Sequence, residues 1–187
     1  MSESLNQNFN HLKVHTQYSI CEGAAKIDDL QEYCKSNKIK SLGISDTSNL
    51  CGALEFAEKI SKSGTQPIIG TQINFKLNDT TGLLPLFALN ETGYKNIIEL
   101  SSNSYLENDE LSDPHVNFDE LLKNSDGVSV FSGTVLGLFG KLFDKGKFTE
   151  INEIYSKIKN VFGDRFYLEI QRHNDTNENG FEKFNLK

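Results

Sequence analysis

The chain has 187 residues, 37% of them hydrophobic and 24% charged, and carries a net charge of −7. This suits one domain with a real core rather than a disordered segment. The acidic balance, with Arg165 and Arg172 the only arginines, argues against strong direct binding of a phosphate backbone. No apolar run approaches the roughly 18 residues that span a membrane. Cys21, Cys34 and Cys51 include no CxxC pair and are odd in number, so reduced thiols in a cytoplasmic protein are expected.

Residues 1–8 are polar and read as a lead-in. Residues 9–14 predict a strand on which His11, Lys13 and His15 share one face and Leu12 and Val14 the other. Residues 26–36 predict a helix through Ile27, Leu30, Tyr33 and Cys34. A strand over 41–45 puts Leu42 and Ile44 on one face. A helix over 50–63 carries Leu54, Ala57 and Ile60 on one side and is ended by Gly64. A strand over 67–75 is interrupted at Gly70. Residues 83–89 are almost wholly apolar, the pattern of a strand buried on both faces.

Residues 92–105 predict a helix with Tyr94, Ile97, Ile98 and Ser101 as its inner stripe. Residues 106–115 are acidic and turn-like, 118–122 a short helix, and 127–131 a strand. Gly133, Gly137 and Gly140 fit neither GxGxxG after a first strand nor GxxxxGK[ST], so they predict tight turns and no phosphate loop. The helix over 148–162 is the clearest, with Ile151, Ile154, Tyr155, Ile158 and Val161 at helical spacing. A strand over 165–171 follows, then a helix from about Asn179, which predicts that the chain continues beyond Lys187.

Strand and helix alternate, which predicts an α/β fold with parallel strands, as a closed barrel or an open sheet. His15, Asp46 and His173 fall at the C-terminal ends of predicted strands, where barrel active sites gather. With Glu55 they form a nitrogen and oxygen donor set suited to zinc, manganese or iron. Such ions activate water for phosphoester or pyrophosphate hydrolysis. Lys13 opposes this reading: its ammonium only donates, and it can neutralise Asp46 or Glu55 in place of an ion. Structural roles stand beside each ligand role. Asp46 also suits a helix cap, Glu55 a solvated helix face, His173 and His115 surface loops, and His11 a packed core position.

The run Phe9-Asn10-His11-Leu12-Lys13-Val14-His15-Thr16-Gln17-Tyr18-Ser19, followed by Glu22-Gly23-Ala24-Ala25-Lys26, resembles the opening of the PHP (polymerase and histidinol phosphatase) domain of bacterial DNA polymerase III alpha subunits. Supporting stretches are Gly43-Ile44-Ser45-Asp46-Thr47 through Glu55-Phe56, Lys62 to Gly70, Leu89 to Asn96, and Phe166 to Arg172. The resemblance covers residues 9–187 and implies a PHP-type distorted (β/α)7 barrel, incomplete at its C-terminus, with metal ligands on the C-terminal rim.

By that resemblance His15, Asp46, Glu55 and His173 are remnant ligands. Lys13, Thr47, Leu83 and Thr134 stand at degenerate ligand positions. No cofactor is then expected in this stretch, with zinc or manganese at a partial site as the alternative and magnesium reserved for the parent polymerase. Implied partners are the remaining domains of the alpha subunit, the proofreading exonuclease subunit, and DNA through other domains, with no membrane. The implied function is a structural and protein-docking part of a replicative polymerase. The alternative is a metal-dependent phosphoesterase or 3'-5' exonuclease-type enzyme, or a freestanding phosphoesterase of the same superfamily.

Overall fold

The computed structural model describes residues 9–108, 112–173 and 176–187. The expected lead-in at 1–8 and the middle of the acidic turn lie outside these. The chain divides into two units, Met1–Gln72 and Ile73–Lys187.

In the first unit, α1 (Ile27–Asn37), β1 (Ser41–Thr47) and α2 (Ala53–Lys62) precede β2 (Gln66–Leu77), which runs on into the second. β1 pairs in parallel with β2 from Ser41↔Gln66 to Thr47↔Gln72, so Gly70 lies within a continuous strand. Ile27 and Cys34 of α1, Leu42 and Ile44 of β1, and Ala53, Phe56 and Ile60 of α2 form one buried cluster. The inward face of α2 is thus one residue off the expected stripe: Phe56 is buried and Leu54 is 72% exposed. The helix begins at Ala53 rather than Leu50, and Ile60 is buried as expected.

The expected first strand is only a bridge. Gly43 N–H donates to the His11 carbonyl at 2.7 Å and Ser45 N–H to the Val14 carbonyl at 2.8 Å. Two residues of β1 thus face three residues of this segment, the signature of an inserted bulge residue. Strict alternation of His11, Lys13 and His15 does not survive it.

In the second unit, β2 turns through Asn78-Asp79 into β3 (Thr80–Ala88), with Asn78 at φ 52°. A two-residue turn reverses the chain, so the sheet is mixed rather than parallel. α3 (Glu91–Leu106), β4 (Val116–Asn117), α4 (Phe118–Lys123) and β5 (Val128–Phe131) follow. Then come α5 (Leu138–Asp144), α6 (Phe148–Phe162), a 3-10 turn (Gly163–Arg165), β6 (Phe166–Tyr167) and α7 (Thr176–Asn185). β3 pairs antiparallel with β5, and β5 parallel with β6. Among the described residues the strand pairings run β1-β2-β3-β5-β6, with β4 on β2, and do not close. The fold is mixed α/β.

Gly133, at φ 74°, and Gly137 lie in the expected turn, but Gly140 lies within helix α5. A Cβ at Gly140 would lie 2.1 Å from the Val135 carbonyl oxygen. The glycine that weakens the helical pattern is therefore what lets the preceding loop cross the helix. β6 is shorter than the expected strand, and α7 starts earlier than Asn179. In α3 the buried face is Gly93, Ile97, Leu100 and Ser104, not a stripe through Ile98. In α6, Phe162 turns inward and Val161 outward.

α7 docks through aromatic rings. Phe181 and Phe184 each lie 5.5 Å from the Phe143 ring of α5, and Phe184 lies 5.7 Å from Phe148 of α6. Phe181 is 3% exposed. Phe181→Ala is expected to lower the stability of the second unit by about 3 kcal/mol through the cavity it leaves. Leu106→Ala, at an exposed end of α3, should stay within about 0.5 kcal/mol. Urea unfolding followed by circular dichroism measures both.

Candidate functional site

The site in the first unit is built on the end of β1. Asp46 is 1% exposed. A buried carboxylate is stable only with donors around it. The loop that follows His15 supplies them. Thr16 donates to Asp46 twice, from its main-chain N–H to Oδ1 at 2.6 Å and from its hydroxyl to Oδ2 at 2.7 Å. The Ser19 hydroxyl donates to Oδ1 at 2.8 Å. Asp46 is therefore no helix cap. That turn is served by Asn49, whose side-chain oxygen accepts from Cys51 N–H at 3.0 Å.

Ser19 also orders its other neighbours. Its oxygen accepts from Thr47 N–H at 3.0 Å and lies 3.4 Å from Nδ1 of His15. A serine hydroxyl has one proton, and here it goes to Asp46. In that contact the Nδ1 of His15 can therefore act only as a donor. His15 Nδ1 also lies 3.8 Å from Glu22 Oε2. The Thr47 hydroxyl donates to Glu22 and accepts from Gln72 Nε2 at 2.7 Å.

Glu55 serves a different set of contacts. One carboxylate oxygen accepts from the Tyr18 hydroxyl at 2.7 Å and the other from Lys59 Nζ at 2.8 Å, one helical turn on. Lys59 also donates to Asp28 of α1. The Lys59 ammonium, then the Tyr18 hydroxyl, hold the Glu55 carboxyl below the usual carboxylate range. The Asp28 and Glu55 hydrogen bonds push Lys59 above the usual ammonium range. The Glu55 contact raises the Tyr18 phenol. These groups are partly exposed, so the pairs stabilise the fold modestly.

The structure thus joins His15, Asp46 and Thr47 through Ser19 and Glu22, and ties Glu55 to the same loop through Tyr18. Lys13 is half-buried on the bulged segment beside β1. In the second unit, His173 is exposed, and its Nδ1 lies 2.9 Å from Glu178 Oε1 while its N–H donates to Oε2 at 2.6 Å. Leu83 is half-buried on β3. Thr134 accepts from Leu136 N–H at 3.3 Å and borders a small cavity with Glu169, Gln171 and Glu178.

The carboxylates of the expected ligand set are engaged within the protein. Both oxygens of Asp46 already accept short hydrogen bonds, and Glu55 already holds a cation. Among the described residues no group of three or more His, Cys, Asp and Glu side chains is arranged to hold an ion. Sequence reasoning named the carboxylates but missed Thr16, Ser19, Glu22, Gln72 and Lys59. The one available signal was the hydroxyl pair at Thr16 and Ser19 directly after His15.

A family model described as the PHP domain matches residues 11–173. The chain belongs to the PHP domain family. It is 38% identical over 186 residues to the DNA polymerase III subunit alpha of Caulobacter vibrioides, covering 92% of this chain and 16% of that one. It is 37% identical over 181 residues to that of Borreliella burgdorferi, with 91% and 16% covered. It is 33% identical over 183 residues to that of Haemophilus influenzae, with 96% and 16% covered. The chain spans about one sixth of the length of these relatives. A solved structure from Bifidobacterium adolescentis, named for metal-dependent phosphoesterase activity, gives a TM-score of 0.41 at 20% identity, over 51% of this chain and 32% of that one. That likeness is too slight to carry an argument.

Because the Glu55 carboxyl is lowered in the folded state, its stabilising effect is present above the ordinary carboxylate range. It is lost as pH falls through the lowered midpoint. Lys59→Met is expected to move the Glu55 midpoint upward, and Tyr18→Phe to move it up by less. Carbon-13 NMR titration of the side-chain carboxyl reads this. An unmoved midpoint in Lys59→Met would contradict the assignment.

Proposed function

We propose that this chain is the N-terminal PHP part of a replicative DNA-directed DNA polymerase, the DNA polymerase III alpha subunit. There it acts as a structural and protein-docking module with a degenerate metal site. The supporting observation is the state of Asp46. Its carboxylate is occupied by Thr16 and Ser19, so hydrolytic metal chemistry has no ready ligand at the best-buried position. Identity of 33–38% to alpha subunits over nearly the whole chain supports the parent polymerase. On this reading the six strands are the described part of a distorted (β/α)7 barrel, and the domain spans residues 9–187.

Nucleotide transfer, with its magnesium, belongs to other domains of the parent. Those domains are the first partners of this one. The proofreading exonuclease subunit is a second partner, and DNA is engaged elsewhere in the parent. The net charge of −7 agrees with a surface that meets protein rather than phosphate. Among the described residues no helix is long and apolar enough to cross a membrane, and a cytoplasmic setting accords with replication.

The alternative, a metal-dependent phosphoesterase or exonuclease, requires an ion to displace the hydroxyls on Asp46 and the ammonium on Glu55. To test this, the purified chain is loaded with zinc or manganese, desalted, and assayed for bound metal and nitrophenyl-phosphate hydrolysis. Substoichiometric metal and no turnover above that of Asp46→Ala are expected. Stoichiometric metal with turnover abolished by Asp46→Ala would overturn the non-catalytic reading. For the polymerase reading, the native polypeptide carrying this chain should be about six times its length and extend a primed template. A native protein of this length alone would refute it.

A further inference from the structure

Loop 16–25 of the first unit crosses itself. Ser19 N–H donates to the Thr16 carbonyl at 2.9 Å, and Glu22 and Gly23 N–H groups return to the Ser19 carbonyl at 3.0 and 2.9 Å. Gln17 N–H donates to the Ala25 carbonyl at 2.9 Å. A Cβ at Gly23 would sit 2.0 Å from the Thr16 carbonyl oxygen, so only glycine permits the crossing. At the loop's tip Cys21 takes φ 65°, a left-handed conformation that a side chain disfavours. The adjoining Ile20 is 85% exposed, so its own burial does not hold the tip in place.

Two consecutive residues of β1 hold it instead. Asp46 accepts from both ends of the Thr16–Ser19 turn. Thr47 donates its N–H to Ser19 and its hydroxyl to Glu22, and Gln72 of β2 donates to that hydroxyl. The position where the family resemblance expects a histidine ligand thus carries a residue that grips the loop. The Asp46 carboxylate and the Thr47 hydroxyl both have hydrogen-bond partners within the protein.

We propose that Asp46 and Thr47 form a metal-independent clasp that fixes loop 16–25, and with it the strained Cys21 turn, to the end of β1. Thr16, Ser19, Glu22 and Gln72 are its partners. Hydrogen bonds to a buried carboxylate are among the stronger neutral-donor contacts in proteins. Three of them reach Asp46 and oppose its desolvation. The clasp rests on the metal-free reading of the site and not on which polypeptide carries the chain.

The test is amide hydrogen exchange on the 187-residue chain. Ser19→Ala removes the donor to Asp46 and the acceptor of Thr47 N–H together. It is expected to speed exchange at Ser19, Glu22 and Gly23 by about tenfold or more, with α6 unchanged. Thr16→Ser, which keeps both donors, should match the parent chain. Should Ser19→Ala fail to fold, Thr47→Val removes the bond to Glu22 and the acceptor of Gln72 Nε2 but leaves the donors to Asp46 and the Thr47 N–H in place, and should speed exchange at Glu22 and Gly23 about threefold. Adding zinc or manganese, or EDTA, should change none of these rates. Unaltered exchange in both variants, with no metal effect, would overturn the clasp and leave the metal-free reading standing. Protection that rises with metal and falls with EDTA would overturn the metal-free reading itself.

Discussion

A carboxylate buried at the end of a strand is the constraint around which the first unit is arranged. Asp46 has almost no contact with solvent, and removing a charge from water costs several kcal/mol unless donors replace the water. Two hydroxyls and a main-chain amide do so, all from a turn of four residues. The requirement runs both ways. Asp46 needs the loop to be stable in its charged form, and the loop needs Asp46 to hold a self-crossing path. The bulge between His11 and Val14 leads directly into that turn, and it adds the residue that breaks the alternation from His11 to His15.

The second acidic residue of the group follows a different solution. Glu55 is paired along its own helix with Lys59, which also reaches Asp28 on α1. An internal ammonium stands where a cation is needed, and Tyr18 links this pair to the clasped loop. The two carboxylates are thus met differently: Glu55 by the Lys59 ammonium and the Tyr18 hydroxyl, and Asp46 by the Thr16 and Ser19 hydroxyls and the Thr16 amide.

The alternation of strands and helices was legible because burial of one face leaves a period in the sequence, as in Ile151, Ile154 and Ile158 of α6. Helix faces were less so. In α2 the expected set Leu54, Ala57 and Ile60 is spaced i, i+3, i+6, whereas the buried set Ala53, Phe56 and Ile60 has the i, i+3, i+7 spacing of a helix face packed in one cluster with residues of α1 and β1. α5 escaped because Gly137 and Gly140 serve a close backbone crossing, a contact with no local periodicity. The antiparallel step into β3 was hidden in the two-residue Asn78-Asp79 turn, which reads as an ordinary polar loop.

The sequence by itself determined that the chain is α/β and which family its motifs resemble. It also marked out His15, Asp46 and Glu55 as chemically unusual, and Lys13, Thr47, Leu83 and Thr134 as departures from a ligand pattern. Those are properties of residue type and order, which a linear reading preserves. Only the tertiary structure decided which donors meet each carboxylate. Thr16 and Asp46 are thirty positions apart, and Ser19 and Asp46 twenty-seven. Hydrogen bonds depend on distances of a few tenths of an ångström, and those are set by how a loop crosses a strand.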